Sequence, residues 1–113
     1  MKPAKPVTAA ALWEQLTQEG LQPEQWSNAP GAVYRVHEHP YQKVLYVVDG
    51  SITVILARSG LGHARRAGKS TERQIVMRPG DRLELPAQTP HRAVVGPNGV
   101  VCLEAHRSPH PTS

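Results

Sequence analysis

Alternating apolar and polar positions over most of the chain predict a series of short β-strands. The alternation begins near Trp26 and is interrupted by three turn signals, Asp49-Gly50, Arg78–Asp81 and Gly96–Gly99. An Asp-Gly pair between two apolar runs is typical of a tight hairpin, and we expect a second hairpin at Gly96–Gly99. Because no helices alternate with the strands, the pattern favours an antiparallel sandwich or barrel. The predicted strands are Ala32–His39, Val44–Asp49, Ser51–Arg58, Thr71–Met77, Asp81–Leu85, His91–Val95 and Val100–His106.

One amphipathic helix, from Thr8 to Glu19, is predicted ahead of the strands. The Thr8 side chain can cap its start and Gly20 can end it. Leu12, Trp13 and Leu16 share one face at helical spacing, so the helix should pack against the outside of the strands. We therefore divide the chain into an N-terminal arm and helix (1–25), a barrel (26–107) and a tail (108–113).

The parity of strand positions places the polar side chains that can carry chemistry. Residues of equal parity in a strand face the same side. The face expected to line the barrel carries His37, His39, Tyr41, Lys43, Leu45 and Val47, joined from a later strand by His91, Ala93 and Val95.

The opposite face of this first segment, formed by Val44, Tyr46 and Val48, is apolar as well. An outer face this apolar needs a cover, which the predicted helix or a second subunit can supply. On this basis we predict a homodimer, since closed two-fold pairs are the commonest assembly.

Composition limits the class of protein. A chain of 113 residues is long enough for one domain, and its 11 prolines and 9 glycines suit many short strands joined by turns. The single cysteine, Cys102, excludes an internal disulfide, fits a reducing compartment and lies in an apolar strand, where an inert buried thiol is expected. No apolar window is long enough to cross a membrane and no signal peptide is recognised. We expect a cytoplasmic protein without a membrane partner.

The formal charge of +4 is concentrated in one basic segment between Arg58 and Arg73. Such a patch attracts phosphates. However, no aromatic residue interleaves its charges and no nucleic-acid-binding motif accompanies it. We interpret residues 59–70 as a solvated loop and expect no nucleic-acid partner.

The histidines suggest a metal site. In a strand, His37 and His39 present two imidazoles about 6.5–7 Å apart on one face, which allows both to reach one ion. A third histidine from a neighbouring strand, His91, completes the set. Three histidines suit Zn(II) and also Fe, Ni or Cu. Because histidine pairs often serve only packing and hydrogen bonding, a barrel without metal stays open as an alternative.

Two segments around these histidines resemble the two motifs of the cupin family. Residues 31–50 read G-x5-H-x-H-x3-K-x6-G, and residues 80–95 read G-x5-P-x-Q-x2-H-x3-V. The resemblance covers about residues 31–95. It implies an all-β fold, an antiparallel double-stranded β-helix (jelly-roll) barrel of about seven or eight strands with the short helix outside. It further implies a divalent metal ion (Fe, Mn, Zn or Ni) held by His37, His39 and His91.

The chain departs from the family pattern at three positions. The resemblance places Lys43 where typical cupins have a glutamate ligand, Gln88 where they have a glycine and Val95 where they have an asparagine. An ammonium beside a dication is repelled by several kcal/mol. Lys43 can avoid this by pairing with Glu38, Glu84 or Glu104, by being neutral, or because no metal is bound. We expect Glu104 to point outward; an inward Glu104 would replace the missing carboxylate or neutralise Lys43.

Two functions follow from the resemblance. The first is a metal-dependent cupin that binds or acts on a small molecule, with Lys43 favouring an anionic one and Lys43 or Tyr41 acting as acid, base or anion holder. The second is a metal-free, non-catalytic cupin that binds a small ligand. No role is assigned to His63, His106 or His110.

Overall fold

Two long, bent strands organise the fold in a computed structural model that describes residues 7–56 and 72–107. All strand pairs in these ranges are antiparallel. The elements are α1 (Ala9–Gln18), β1 (Glu24–Asn28), β2 (Val33–His37), β3 (Gln42–Leu56), β4 (Arg73–Met77), β5 (Arg82–Leu85) and β6 (His91–Arg107).

Strands β3 and β6 pair along their whole length, from Gln42 opposite Arg107 to Leu56 opposite His91. The first half of β3 and the second half of β6 form one sheet, bordered by β5 and β1. The other halves form a second sheet, bordered by β4 and β2. Two antiparallel sheets that share bent strands are a jelly-roll barrel. The predicted fold class is therefore confirmed.

The predicted hairpins at Asp49-Gly50 and Gly96–Gly99 are wrong, because neither segment reverses the chain. Asp49 and Gly50 stay paired with β6, and Gly96–Gly99 lies opposite the single residue Ser51. The register shifts just before Asp49 and across Gly96–Gly99 are bulges at which the strands bend from one sheet into the other. Gly50 has φ 76°, and a side chain there would meet the carbonyl oxygen of Gly99 at 2.0 Å. Glycine is thus required where the two bends cross.

The number of strands differs from the prediction for the same reason. The predicted strands on either side of each bulge merge into β3 and β6, and β1 was missed, which leaves six strands in the described ranges. The basic loop 59–70, His63, His110 and the tail 108–113 lie outside the described residues. No helix in the described part of the chain is both long enough and apolar enough to cross a bilayer.

The space between the two sheets is filled by apolar side chains of both. Cys102 is part of this core, and burial raises the pKa of its thiol to about 12, which makes the thiol inert as expected. The core consists of Leu45, Val47, Ile52, Val54, Met77, Ala93, Val95, Val100 and Cys102.

Helix α1 covers the outer face of the first sheet. Thr8 caps the helix by accepting a hydrogen bond from the backbone N–H of Ala11 at 3.0 Å. Leu16, which is fully buried, packs on Val44, Tyr46 and Leu103. This face therefore lends no support to the homodimer, which stays a prediction. Trp13 was expected to pack on the barrel together with Leu12 and Leu16, but it is 43% exposed.

An ion pair fixes the helix to the barrel. The Arg82 guanidinium on β5 donates hydrogen bonds of 2.7 and 2.8 Å to the two carboxylate oxygens of Glu19, which follows the helix. Arg82 also donates to the Tyr46 hydroxyl at 3.0 Å. The hydrogen bonds from Arg82 and Gln15 lower the pKa of Glu19 to about 2. This bidentate geometry makes the pair stronger than a simple surface contact.

Candidate metal and ligand site

Three histidines from separate positions in the chain meet at one end of the barrel. His37 ends β2, His91 begins β6 and is its partner in register, and His39 lies in the segment that follows β2. One ring nitrogen from each lies within 4.8 Å of the others. The ring centroids are 4.3 Å apart for His37 and His91, 4.9 Å for His37 and His39, and 5.2 Å for His39 and His91. The sequence-predicted triad is thus brought together in space.

Backbone carbonyls orient two of the three rings. The Nδ1 atom of His37 lies 2.7 Å from the carbonyl oxygen of Arg35, and the Nδ1 atom of His91 lies 2.8 Å from that of Thr89. A carbonyl only accepts, so these contacts assign the proton to Nδ1 and leave the Nε2 lone pair free. Such outer hydrogen bonds are usual for histidines that bind metal.

The Nε2 atoms of His39 and His91 are buried and have no hydrogen-bond partner. A buried polar atom without a partner is costly, and in a native protein it calls for an explanation. Burial lowers the pKa of both imidazoles, and the charge of Lys43 adds to the shift. Both histidines are therefore neutral near pH 7, the form that coordinates metal.

The loop before His91 holds the two histidine segments together. The backbone N–H of Gln88 donates to the carbonyl oxygen of His39 at 2.6 Å. Gln88 adopts φ 57°, in the left-handed region that favours glycine. This conformation gives a physical reason for the glycine that the resemblance places here in typical cupins. In this chain Gln88 adopts this φ at the cost of backbone strain.

The expected outward direction of Glu104 is wrong. Its side chain points into the barrel, where its Oε1 lies 3.4 Å from Nζ of Lys43 and accepts a 2.9 Å hydrogen bond from Nε1 of Trp26. Its other oxygen, Oε2, lies 2.7 Å from Nε2 of His106. Both parities of this strand are apolar, so the sequence did not indicate that Glu104, which has the same parity as the buried Cys102, faces inward.

The Lys43–Glu104 pair realises one of the arrangements open to Lys43. The two side chains are only 13% and 15% exposed. Burial by itself would raise the pKa of Glu104, but the hydrogen bond with His106, the charge of Lys43 and the Trp26 N–H outweigh it, and the pKa is lowered. Glu104 is therefore ionised at neutral pH, and it compensates the Lys43 ammonium.

Tyr41 and His106 connect the triad with Glu104. The Tyr41 ring stacks on His39 with centroids 4.9 Å apart and on His106 at 3.8 Å. Its hydroxyl lies 3.1 Å from Nδ1 of His39. Sequence reasoning gave His106 no role, because it stands at a predicted strand end; only the pairing of β3 and β6 brings it beside Tyr41. Burial raises the pKa of Tyr41, so its phenol stays protonated near neutral pH.

A cavity of about 260 Å³ opens beside the triad. In the described part of the chain its charged lining residues are Lys43 and Glu104, and most of the remaining wall is apolar or aromatic. Trp26, Asn28 and Tyr34 are lining residues that the sequence did not single out. The described lining residues are Trp26, Asn28, Tyr34, His37, Lys43, Leu45, Ile52, Val54, Leu85, His91, Ala93 and Glu104.

A family model of the cupin domain matches residues 25–104, most of the chain. The chain belongs to the cupin family. The cupin match includes the two histidine segments and also β1, which the sequence motifs did not reach. No curated protein matches the chain. The assignment of Lys43 to the position of a family glutamate stays a prediction.

Solved structures share the fold at low sequence identity. A variant of oxalate decarboxylase from Bacillus subtilis matches 81% of this chain with a TM-score of 0.63 and 20% identity. A structure of the DMSP lyases RdDddP and RnDddQII matches 78% with a TM-score of 0.60 and 24% identity. Drosophila melanogaster CENP-C bound to CAL1 matches 75% with a TM-score of 0.61 and 16% identity.

The cupin chain described here spans only part of these proteins. It covers 22% of the oxalate decarboxylase chain, 38% of the DMSP lyase chain and 60% of the CENP-C chain. At these identities the likeness establishes the fold alone. Two of these proteins are named for the small molecules on which they act, and the third is described as bound to CAL1. The function of this cupin therefore has to be argued from its own site.

Proposed function

We propose that this cupin binds a divalent metal ion through His37, His39 and His91 and that it binds or acts on a small molecule in the adjoining cavity. The observation that carries the proposal is the pair of buried Nε2 atoms, of His39 and His91, that have no hydrogen-bond partner. Their convergence with the third histidine within 4.8 Å gives one ion three nitrogen ligands and leaves positions for water or substrate.

The choice of metal follows from the donor set. Three neutral imidazoles suit Zn, Fe and Ni, whereas Mn favours oxygen ligands, which water or a bound ligand would supply at the open positions; the protein's geometry and the supply of metal decide between them. One related structure of oxalate decarboxylase, with a TM-score of 0.62 and 20% identity, was described for its Mn(II) centres. We propose Fe, Mn, Zn or Ni for this chain. Such an ion, when bound, supplies Lewis-acid activation of a bound oxygen.

A metal-free, ligand-binding cupin is the second candidate, and Lys43 favours it. The Lys43 ammonium lies close enough to the triad to add to the lowering of the pKa of His39 and His91 that burial causes. The same charge opposes a dication. Pairing with Glu104 reduces this opposition, which is why we place metal binding first.

Elemental analysis tests the proposal. Protein purified without a metal-affinity tag is expected to contain close to one equivalent of a transition metal, or to take one up from Zn(II) or Mn(II) in an equilibrium titration. His91→Ala should lose this metal, since His91 is the most buried ligand. His106→Ala is the matched control, because it removes a histidine outside the triad and should retain the metal. A parent protein that takes up none of the four metals would refute the metal site and favour the second candidate.

We also propose a cytoplasmic location and a homodimer. The single Cys102, buried and inert, is compatible with a reducing compartment but does not require one. Light scattering at micromolar concentration distinguishes a dimer of twice 12.4 kDa from a monomer. A monomeric mass would contradict the dimer.

A further inference from the structure

We propose that Glu104 determines the class of ligand, so that the cavity accepts a short, mainly apolar molecule with a single metal-binding group, such as a short-chain monocarboxylate. This inference rests on the proposed metal site and goes beyond it. A lysine in the pocket by itself predicts an anion holder; the contacts of Glu104 change that expectation.

Among the residues that the structure describes, the charged side chains of the cavity wall are Lys43 and Glu104, and they face each other at 3.4 Å with 13% and 15% exposure. Their charges cancel. A second carboxylate on a ligand would therefore have to displace Glu104 from Lys43, which would leave a buried carboxylate without its counter-ion. The triad, with its ion, is then the place where the cavity can take an anionic group.

Hydrogen bonds within the protein already occupy polar groups of the cavity wall. Nε1 of Trp26 already donates to Glu104, and the side-chain amide of Asn28 already donates to the hydroxyl of Tyr34. Among the described residues, the buried side-chain polar atoms left without a partner are Nε2 of His39 and Nε2 of His91. Unpaired polar atoms give the strongest discrimination between ligands. Polar recognition is thus concentrated at the triad.

A cavity of about 260 Å³ has the volume of roughly nine liquid water molecules, which suits a ligand with a short body. Burying each methylene of that body should increase affinity by about fourfold. The apolar part of the wall consists of Leu45, Ile52, Val54, Leu85 and Ala93.

Calorimetric titration of the Zn(II)-loaded protein with acetate, butyrate and succinate tests the inference. Butyrate is expected to bind about 15-fold more tightly than acetate, because it buries two more methylenes. Succinate, which has the same number of carbons as butyrate and a second carboxylate, should bind at least tenfold more weakly than butyrate.

The Glu104→Gln variant should remove this preference. It keeps the side-chain shape and frees Lys43, so succinate should gain at least tenfold in affinity while butyrate changes by less than about threefold. Glu84→Gln is the matched control, because Glu84 pairs with Arg82 outside the cavity, and its preference should equal that of the parent. Circular dichroism and metal content, measured on each sample at saturating Zn(II), verify fold and loading.

The outcomes separate the two proposals. A parent that binds Zn(II) but prefers succinate to butyrate overturns the inference about Glu104 and leaves the metal site standing. The inference about Glu104 is likewise overturned if folded, Zn(II)-loaded Glu104→Gln still prefers butyrate to succinate as the parent does. If the variant does not fold, the comparison of butyrate with succinate in the parent tests the inference by itself. A parent that takes up no metal refutes the metal site, and the inference falls with it.

Discussion

Replacing Lys43 by glutamate is expected to tighten metal binding by an order of magnitude or more. Lys43 lines the cavity beside the triad and pairs with Glu104. The substitution removes a cation that opposes a dication and adds a carboxylate, a ligand type that Fe(II), Mn(II) and Zn(II) accept together with imidazole. In the variant, Glu104 faces a second carboxylate instead of the Lys43 ammonium. The excess of negative charge further favours the binding of a cation.

The magnitude follows from the charges. A unit charge and a divalent ion that are no more than about 8 Å apart interact by about 4 kcal/mol or more at an effective dielectric constant of about 20. The Glu104 carboxylate, 3.4 Å from Nζ of Lys43, offsets most of the repulsion in the parent. We therefore expect a net penalty of about 1–2 kcal/mol from Lys43, which corresponds to about tenfold in affinity. The new carboxylate adds its own attraction to this.

Competition for Zn(II) and Mn(II) with a chromophoric chelator measures the affinities of both proteins. Lys43→Met serves as the matched control, because it removes the cation without adding a ligand and should give only the tenfold part of the gain. Without metal, Lys43→Glu should be less stable than the parent, since it places two carboxylates together; saturating metal should raise its melting temperature more than that of the parent. If Lys43→Glu binds metal no more tightly than the parent, Lys43 does not oppose the ion and the pocket is better explained as metal-free.

Three further predictions concern stability. Because the pKa of Glu19 is lowered from 4.5 to about 2 by Arg82, its stabilisation is fully present above pH 4.5 and lost as the pH falls toward 2. With screening at this partly exposed pair we expect a loss of about 1–2 kcal/mol, which acid titration of the unfolding free energy should detect in the parent and not in Glu19→Gln. Gln88→Gly should raise the unfolding free energy in urea by about 1 kcal/mol, whereas Gln88→Ala, which keeps the strained φ of 57°, should bring no such gain. Leu16→Ala should lower the unfolding free energy by about 2–4 kcal/mol, because Leu16 is fully buried between α1 and the barrel, and an unchanged value would mean that the helix does not cover this face.

The sequence determined the family, the strand-rich fold and the histidines that meet. The spacing of His37, His39 and His91 is a property of the sequence, and the pairing of β2 with β6 places His37 opposite His91 in spite of an extra residue between Tyr34 and His37. The N-terminal helix was predictable too, since its cap at Thr8 and its apolar face are encoded within twelve residues. These features could be predicted because each depends on residues that are close in sequence or on the motifs of the two histidine segments.

The direction of Glu104 was decided by the tertiary structure. In Val100–Ala105 both faces are apolar, because one face packs in the barrel and the other under α1, so alternation carries no information about which side is inside. The pairing of β6 with β3 places Glu104 opposite Leu45, on the inner face with Lys43. The compensation of Lys43, on which our ligand proposal depends, therefore could not be read from either strand alone.

The bends at Gly50 and Gly99 show the same limit. A glycine with positive φ can close a hairpin or shape a bulge, and the local sequence fits both. What decided between them is that the strand on each side of the glycine pairs with the same partner in the same direction, so the chain continues instead of reversing. The sequence alone therefore predicted the three histidines as candidate ligands, and long-range strand pairing decided which other side chains share the cavity with them.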